Sequence, residues 1–279
     1  MEETQFNKDD WIQKKQQERE SAYALIDTSL ERMGADGKSL QSYLDVQARF
    51  DRYSVSNALL VAAQMPTATN LASANVWRSR GGYIQKGQSG ILLMEPGKKY
   101  NHKDGTPGVN INTKKVFDIS QTTLIQQPAP VTHTDIRLLL SAMVKHAPCK
   151  VDYRESLPGD KGAIYSHEEK TVFVLRGMSV EDTFRCLAQE LAHAYLDTGD
   201  YNRREAAFPA YCVSYLLSKR NGLDTQRYSF DKLPEQYGTL DAKALRGELG
   251  KIRTAANQIT ADMNRFLESR NGKSREDAR

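Results

Sequence analysis

The apolar residues of this 279-residue chain keep a helical period as far as Arg80 and lose it at Tyr83. Residues 8–33, rich in Gln, Lys and Glu and free of Gly and Pro, read as an exposed helix ending near Gly34 to Gly37. Ser39 is expected to cap a second helix striped by Leu40, Tyr43, Leu44, Val46 and Phe50. A third helix over 55–64 stops ahead of Pro66, and a fourth over 75–80 is closed by Gly81 and Gly82. Short β segments follow at 83–84, 90–94, 108–111 and 115–117, separated by turn residues.

Gln127-Pro128-Ala129-Pro130 reads as a linker, and 279 residues are enough for two domains. Beyond it the pattern predicts a helix (135–146), a strand (150–153) and a hairpin (163–174), then helices over 180–196, 203–219 and 241–268. The expected fold class is α+β. An exposed N-terminal helix (1–37) precedes a helical and β-rich domain (38–126), then a second α+β domain (131–270) and a frayed tail (271–279). In the last helix Leu245, Leu249, Ile252, Ala256, Ile259, Met263 and Phe266 alternate spacings of four and three. Such a stripe suits either packing on its own domain or a coiled-coil seam.

Several classes are excluded. No run of 18 apolar residues exists for a membrane span, and the polar opening MEETQFNKDDWIQKK is no secretory signal. Three scattered cysteines, Cys149, Cys186 and Cys212, without a CxxC pair, fit a reducing cytoplasm better than a disulfide framework. No GxSxG elbow, Walker A loop or Rossmann GxGxxG occurs.

The net charge of +4 says little until its distribution is read. Residues 78–115 hold eight basic residues (Arg78, Arg80, Lys86, Lys98, Lys99, Lys103, Lys114, Lys115) against Glu95 and Asp104, a local +6. Trp77, Tyr83 and Tyr100 are interleaved with them. Cations that track phosphates beside rings that stack on bases suit single-stranded nucleic acid. A solvated sheet with lysines guarding its edges has the same composition. The expected DNA contacts are Trp77, Arg78, Arg80, Tyr83, Lys86, Lys98, Lys99, Tyr100, Lys114 and Lys115.

The helix over 180–196 carries Gln189-Glu190-Leu191-Ala192-His193. Residues four apart share a helix face, so the related pattern HExxH lets two imidazoles hold one zinc. The intervening Glu then activates a metal-bound water.

Two further runs of residues complete the pattern. Phe50, Tyr53-Ser54, Asn57-Ala58-Leu59-Leu60, Gln64, Pro66 and Ala68-Thr69 are followed by Trp77, Gly81-Gly82, Lys86-Gly87, Gly90-Ile91 and Val116-Phe117-Asp118-Ile119-Ser120-Gln121-Thr122. Downstream stand Glu205-Ala206, Ala210-Tyr211, Asn221-Gly222-Leu223-Asp224 and Tyr228-Ser229-Phe230. Over most of residues 38–268 the chain resembles ArdC-like antirestriction proteins. These join an N-terminal single-stranded DNA-binding domain to a zincin-like peptidase domain of the ImmA/IrrE type. The resemblance implies Glu190 as general base and His193 and Glu205 as metal ligands. The remaining ligand is missing, because Gln189 stands where the family has histidine, and an amide oxygen is a poor zinc donor.

The resulting expectation is a cytoplasmic single-stranded DNA-binding protein of a mobile element, protecting incoming DNA during transfer. It makes no membrane contact and has an inactive peptidase-like domain without a cofactor. One alternative is a zinc peptidase with an altered ligand set, completed by His167, Asp197 or Asp200. Another is a non-enzymatic module that binds a host restriction or defence protein.

Overall fold

The computed structural model describes residues 7–102, 104–125, 135–231 and 235–276. Lys103, the expected linker at 127–130 and the last three residues of the tail lie outside them. The chain divides into two compact units, Met1–Val46 with Arg52–Ala129 and Gln47–Asp51 with Pro130–Arg279. Both mix helices with small sheets, so the class is α+β.

The first unit opens with α1 (Lys8–Ala35), whose start is capped by the Asn7 side chain accepting from the Asp9 amide. The helix is not exposed throughout. Ala22, Ile26, Leu30 and Met33 recur every three or four positions and are buried, as one helix stripe should be. They lie on the face toward α3 (Val55–Gln64) and the strands β2 (Ile91–Asn101) and β3 (Pro107–Asp118). Helix α2 (Gly37–Arg49) begins three residues earlier than expected. Asp36, and not Ser39, supplies the cap, since its carboxylate accepts from the amides of Lys38 and Ser39. Strand β1 (Leu71–Ala72) and helix α4 (Ala74–Ser79) lead toward the β region.

The sheet is antiparallel in the order β1-β3-β2. The segments expected at 108–111 and 115–117 are one strand, β3, because Asn112 and Thr113 pair with Glu95 and Met94 instead of turning. The 83–84 segment shrinks to a single bridge from Ile84 to Thr122. Beyond Glu95 most residues of β2 and β3 are exposed, so the hairpin leaves the core as a two-stranded ribbon.

The outer edge of β2 is closed by side chains. Asn57 accepts from the Met94 amide and donates to its carbonyl, at 2.8 and 2.9 Å. Gln64 does the same at Leu92, at 2.8 and 3.0 Å. Two carboxamides one helix face apart thus imitate a neighbouring strand. Asp118 accepts from the amides of Thr69, Asn70 and Ser120. Burial opposes its charge, but these donors hold its carboxyl below the ordinary 3.8.

In the second unit α5 (Ile136–Lys145) precedes a sheet ordered β4-β6-β5. Strand β4 (Lys150–Arg154) runs parallel to β6 (Thr171–Leu175), and β5 (Ala163–Ser166) pairs antiparallel with it. Helix α6 (Val180–Leu196) packs on β5 and β6, and α7 (Arg203–Arg220) lies against α6. After the single turn α8 (Glu235–Gly238), α9 (Ala242–Glu276) packs on α5, α6 and α7. Its stripe from Leu245 to Met263 is buried there, so the seam serves the unit's own core. The helix also continues to Glu276, through most of the tail expected to fray.

Candidate functional site

Two places hold the expected site residues, one in each unit. In the second unit, α6 turns Glu190 and His193 inward, and both side chains are buried. Glu190 Oε2 accepts from the Tyr165 amide of β5 at 2.7 Å. Arg203, the first residue of α7, donates from Nη2 to both Glu190 oxygens at 2.8 and 2.9 Å. Burial pushes the Glu190 carboxyl up, against the pull of that guanidinium.

His193 is 1% exposed, with Nδ1 2.9 Å from the Tyr201 hydroxyl. Burial, reinforced by the Arg203 charge, pushes its imidazole down to about 3. It is therefore neutral near pH 7. Gln189 is half-buried. Glu205 is exposed, accepts from the Asn202 side chain at 2.8 Å and lines a cavity of about 830 Å³. Tyr195, Tyr201, Tyr237 and Lys251 share that lining, but Glu190 and His193 are not part of it.

The three substitute ligands are spoken for or turned elsewhere. Asp197 accepts from Tyr165 Oη, His167 Nδ1 and Lys170 Nζ at 2.7, 2.6 and 2.7 Å. Burial opposes its charge, yet these partners hold it well below the usual carboxylate range. The His167 ring stacks on Tyr201 with centroids 5.4 Å apart. Asp200 lines the cavity with Glu205. Among the described residues no group of three or more His, Cys, Asp or Glu converges as a metal site.

The expected contact residues of the first unit separate into several kinds. Trp77 is a core residue, 1% exposed, donating from its indole nitrogen to the Phe117 carbonyl at 2.8 Å. It offers no face to a base. Arg80 lies over the Trp77 ring, 5.2 Å from its centroid, and is otherwise exposed, as is Arg78. Lys114 faces Glu95 at 3.3 Å and Lys115 faces Glu18 at 4.0 Å, so their charges are partly answered. Lys86, Lys98 and Lys99 are exposed, with no ion pair among the described residues.

Two of the expected rings keep exposed surface, Tyr83 at 62% and Tyr100 at 42%, the latter with the His102 ring set edge to face 4.9 Å from it. Tyr100 stands opposite Gly108 on the ribbon, with its ring over that residue. A Cβ at Gly108 would come within 2.6 Å of Tyr100 Cζ. The glycine thus lets one face of the ring rest on backbone. The Gly87 to Gly90 tetrapeptide is a turn, with Gly87 in the left-handed region at φ +82°.

No protein-family model matches the sequence, and no curated protein matches it either. A solved structure does. The metal-free crystal structure of the antirestriction ArdC protein from the R388 plasmid aligns with a TM-score of 0.53 at 14% identity. The alignment covers 77% of this chain and 86% of that one. The chain has an ArdC-like fold. The Mn(II)-bound structure of the same protein aligns at 0.49, with 15% identity over 77% and 84% of the two chains.

Within an ArdC-like fold, a zinc site on α6 would need His193 beside two more donors and a water held by Glu190. The residues present do not fit it. The partner at position 189 is an amide, and Glu205 is exposed at the cavity and bonded to the Asn202 side chain. Both Glu190 oxygens are engaged by the chain's own donors. Sequence reasoning overlooked Arg203, Tyr201 and Tyr165. A cation two positions before the expected third ligand was the available signal for Arg203.

Proposed function

We propose that this chain binds single-stranded DNA through its first unit and acts in an antirestriction role, shielding entering DNA from host restriction. The second unit is an inert, peptidase-like domain available for contact with a host defence protein. The likeness to ArdC supports the antirestriction part. The observation that carries the DNA part is the ribbon, where exposed Lys98, Lys99 and Tyr100 stand together outside the core. The two lysines would meet phosphates and the open Tyr100 face would stack on a base.

The ribbon carries no recognition helix for the major groove of a duplex, so a strand with unstacked bases is the better fit. Fluorescence anisotropy with labelled oligo-dT tests this. Tyr100→Ala is expected to weaken binding about 5- to 150-fold, the equivalent of one stacked base. Binding should favour oligo-dT over a duplex of equal length. Unaltered affinity after Tyr100→Ala, or preference for the duplex, would refute the assignment.

A further inference from the structure

The zincin-like arrangement of the second unit contains a cation of its own. The Arg203 guanidinium grips Glu190 at 2.8 and 2.9 Å and donates from Nη1 to the Tyr165 carbonyl at 3.3 Å. Tyr165 in turn donates its amide to Glu190 at 2.7 Å. One guanidinium therefore joins α7 to α6 and β5, as a structural metal joins its ligands. The planar fork of arginine suits this bridging better than an ammonium would.

A zincin glutamate works by turning an oxygen to a metal-bound water. On Glu190 the donors of Arg203 and Tyr165 occupy that position. A divalent ion held by His193, one helical turn from Glu190 on α6, would also have to approach the positive charge fixed on that glutamate. Losing the histidine at position 189 is therefore not the whole difference from a metal site.

We propose that Arg203 is a built-in replacement for the metal ion, supplying the counter-charge for Glu190 and excluding a divalent cation from His193. This deepens the inert-domain reading and is independent of the DNA reading. Restoring a metal site then takes two changes, at positions 189 and 203, with exposed Glu205 exchanging its bond to Asn202 for the third place on the metal.

Zinc loading of the full chain tests the exclusion. Wild type, Gln189→His, Arg203→Ala and Gln189→His/Arg203→Ala are exposed to excess zinc, desalted and analysed for metal. The expected result is near one zinc per chain in the double variant and under about a tenth in the other three. Stoichiometric zinc in Gln189→His alone overturns this inference while leaving the wild type inert. Stoichiometric zinc in the wild type overturns both readings. A folded double variant that stays zinc-free also overturns it.

Thermal unfolding tests the counter-charge without metal. Arg203→Ala should lower the midpoint by about 10 °C in the native background, because it strands a buried carboxylate. In a Glu190→Gln background the same change should cost much less. A chain that fails to fold with Arg203→Ala alone but folds with both changes supports the proposal. Equal losses in the two backgrounds overturn it.

Discussion

Replacing Lys98 and Lys99 together by glutamine should flatten the salt dependence of DNA binding by a calculable amount. Arg78, Arg80, Lys86, Lys98 and Lys99 are exposed and form no ion pair among the described residues. If each neutralises one phosphate, log affinity against log salt has a slope of about −3.5, from roughly −0.7 per contact on a single strand. Affinity for oligo-dT then falls about 100-fold between 50 and 200 mM salt. Without the two lysines the slope becomes about −2.1 and the fall about 20-fold.

Lys114→Gln with Lys115→Gln is the matched comparison. Glu95 and Glu18 already answer those charges, so this pair should change the slope less. Anisotropy titrations at four or five salt concentrations measure all three proteins. The reasoning fails if the Lys114 and Lys115 variant flattens the slope more than the Lys98 and Lys99 variant. It fails equally if the wild type shows no salt dependence.

Two further outcomes follow from named contacts. Gly108→Val should displace the Tyr100 ring, since a Cβ there meets Cζ at 2.6 Å; oligo-dT binding would weaken as far as with Tyr100→Ala while the midpoint of unfolding barely moves. Asp118 titrates below 3.8 in the folded chain, so its contribution is complete above the unfolded value and is lost as pH falls through the folded one. Asp118→Asn should therefore lower stability at pH 7 but narrow the gap to wild type as pH falls below 3.8, measured by urea unfolding at each pH.

The helices were legible in the sequence because each buries one stripe. In α6 and α9 the apolar spacing of three and four needs no further information, and Ser54 and Ser73 start α3 and α4 with a side chain that accepts from the helix. The ribbon was legible only in part, at 108–111. Alternation signals a strand only when one face is buried, and the outer halves of β2 and β3 bury neither, so Asn112 to Lys114 looked like a turn between two strands and the end of β2 beyond Met94 went unread. Trp77 misled for a related reason, since a tryptophan among cations reads alike whether it faces solvent or core.

At the metal-like site, the spacing of Glu190 and His193 disclosed which helix face they share. It could not disclose what meets that face from α7. Arg203 reaches Glu190 across thirteen positions of chain that include a change of direction, and that pairing exists only once α6 and α7 are packed. Asn57 and Gln64 carried the family resemblance without showing why those residue types are needed there. Their purpose is visible only beside the β2 backbone.

That carboxamide edge has a consequence for self-association. A sheet whose last strand is open will recruit any extended segment that can complete its ladder, including one from another copy of the same protein. By saturating Leu92 and Met94 from α3, the chain closes the inner part of β2 to such recruitment without spending a fourth strand. Were copies to line up along one strand of DNA, as the proposed function allows, this edge would let them crowd without fusing.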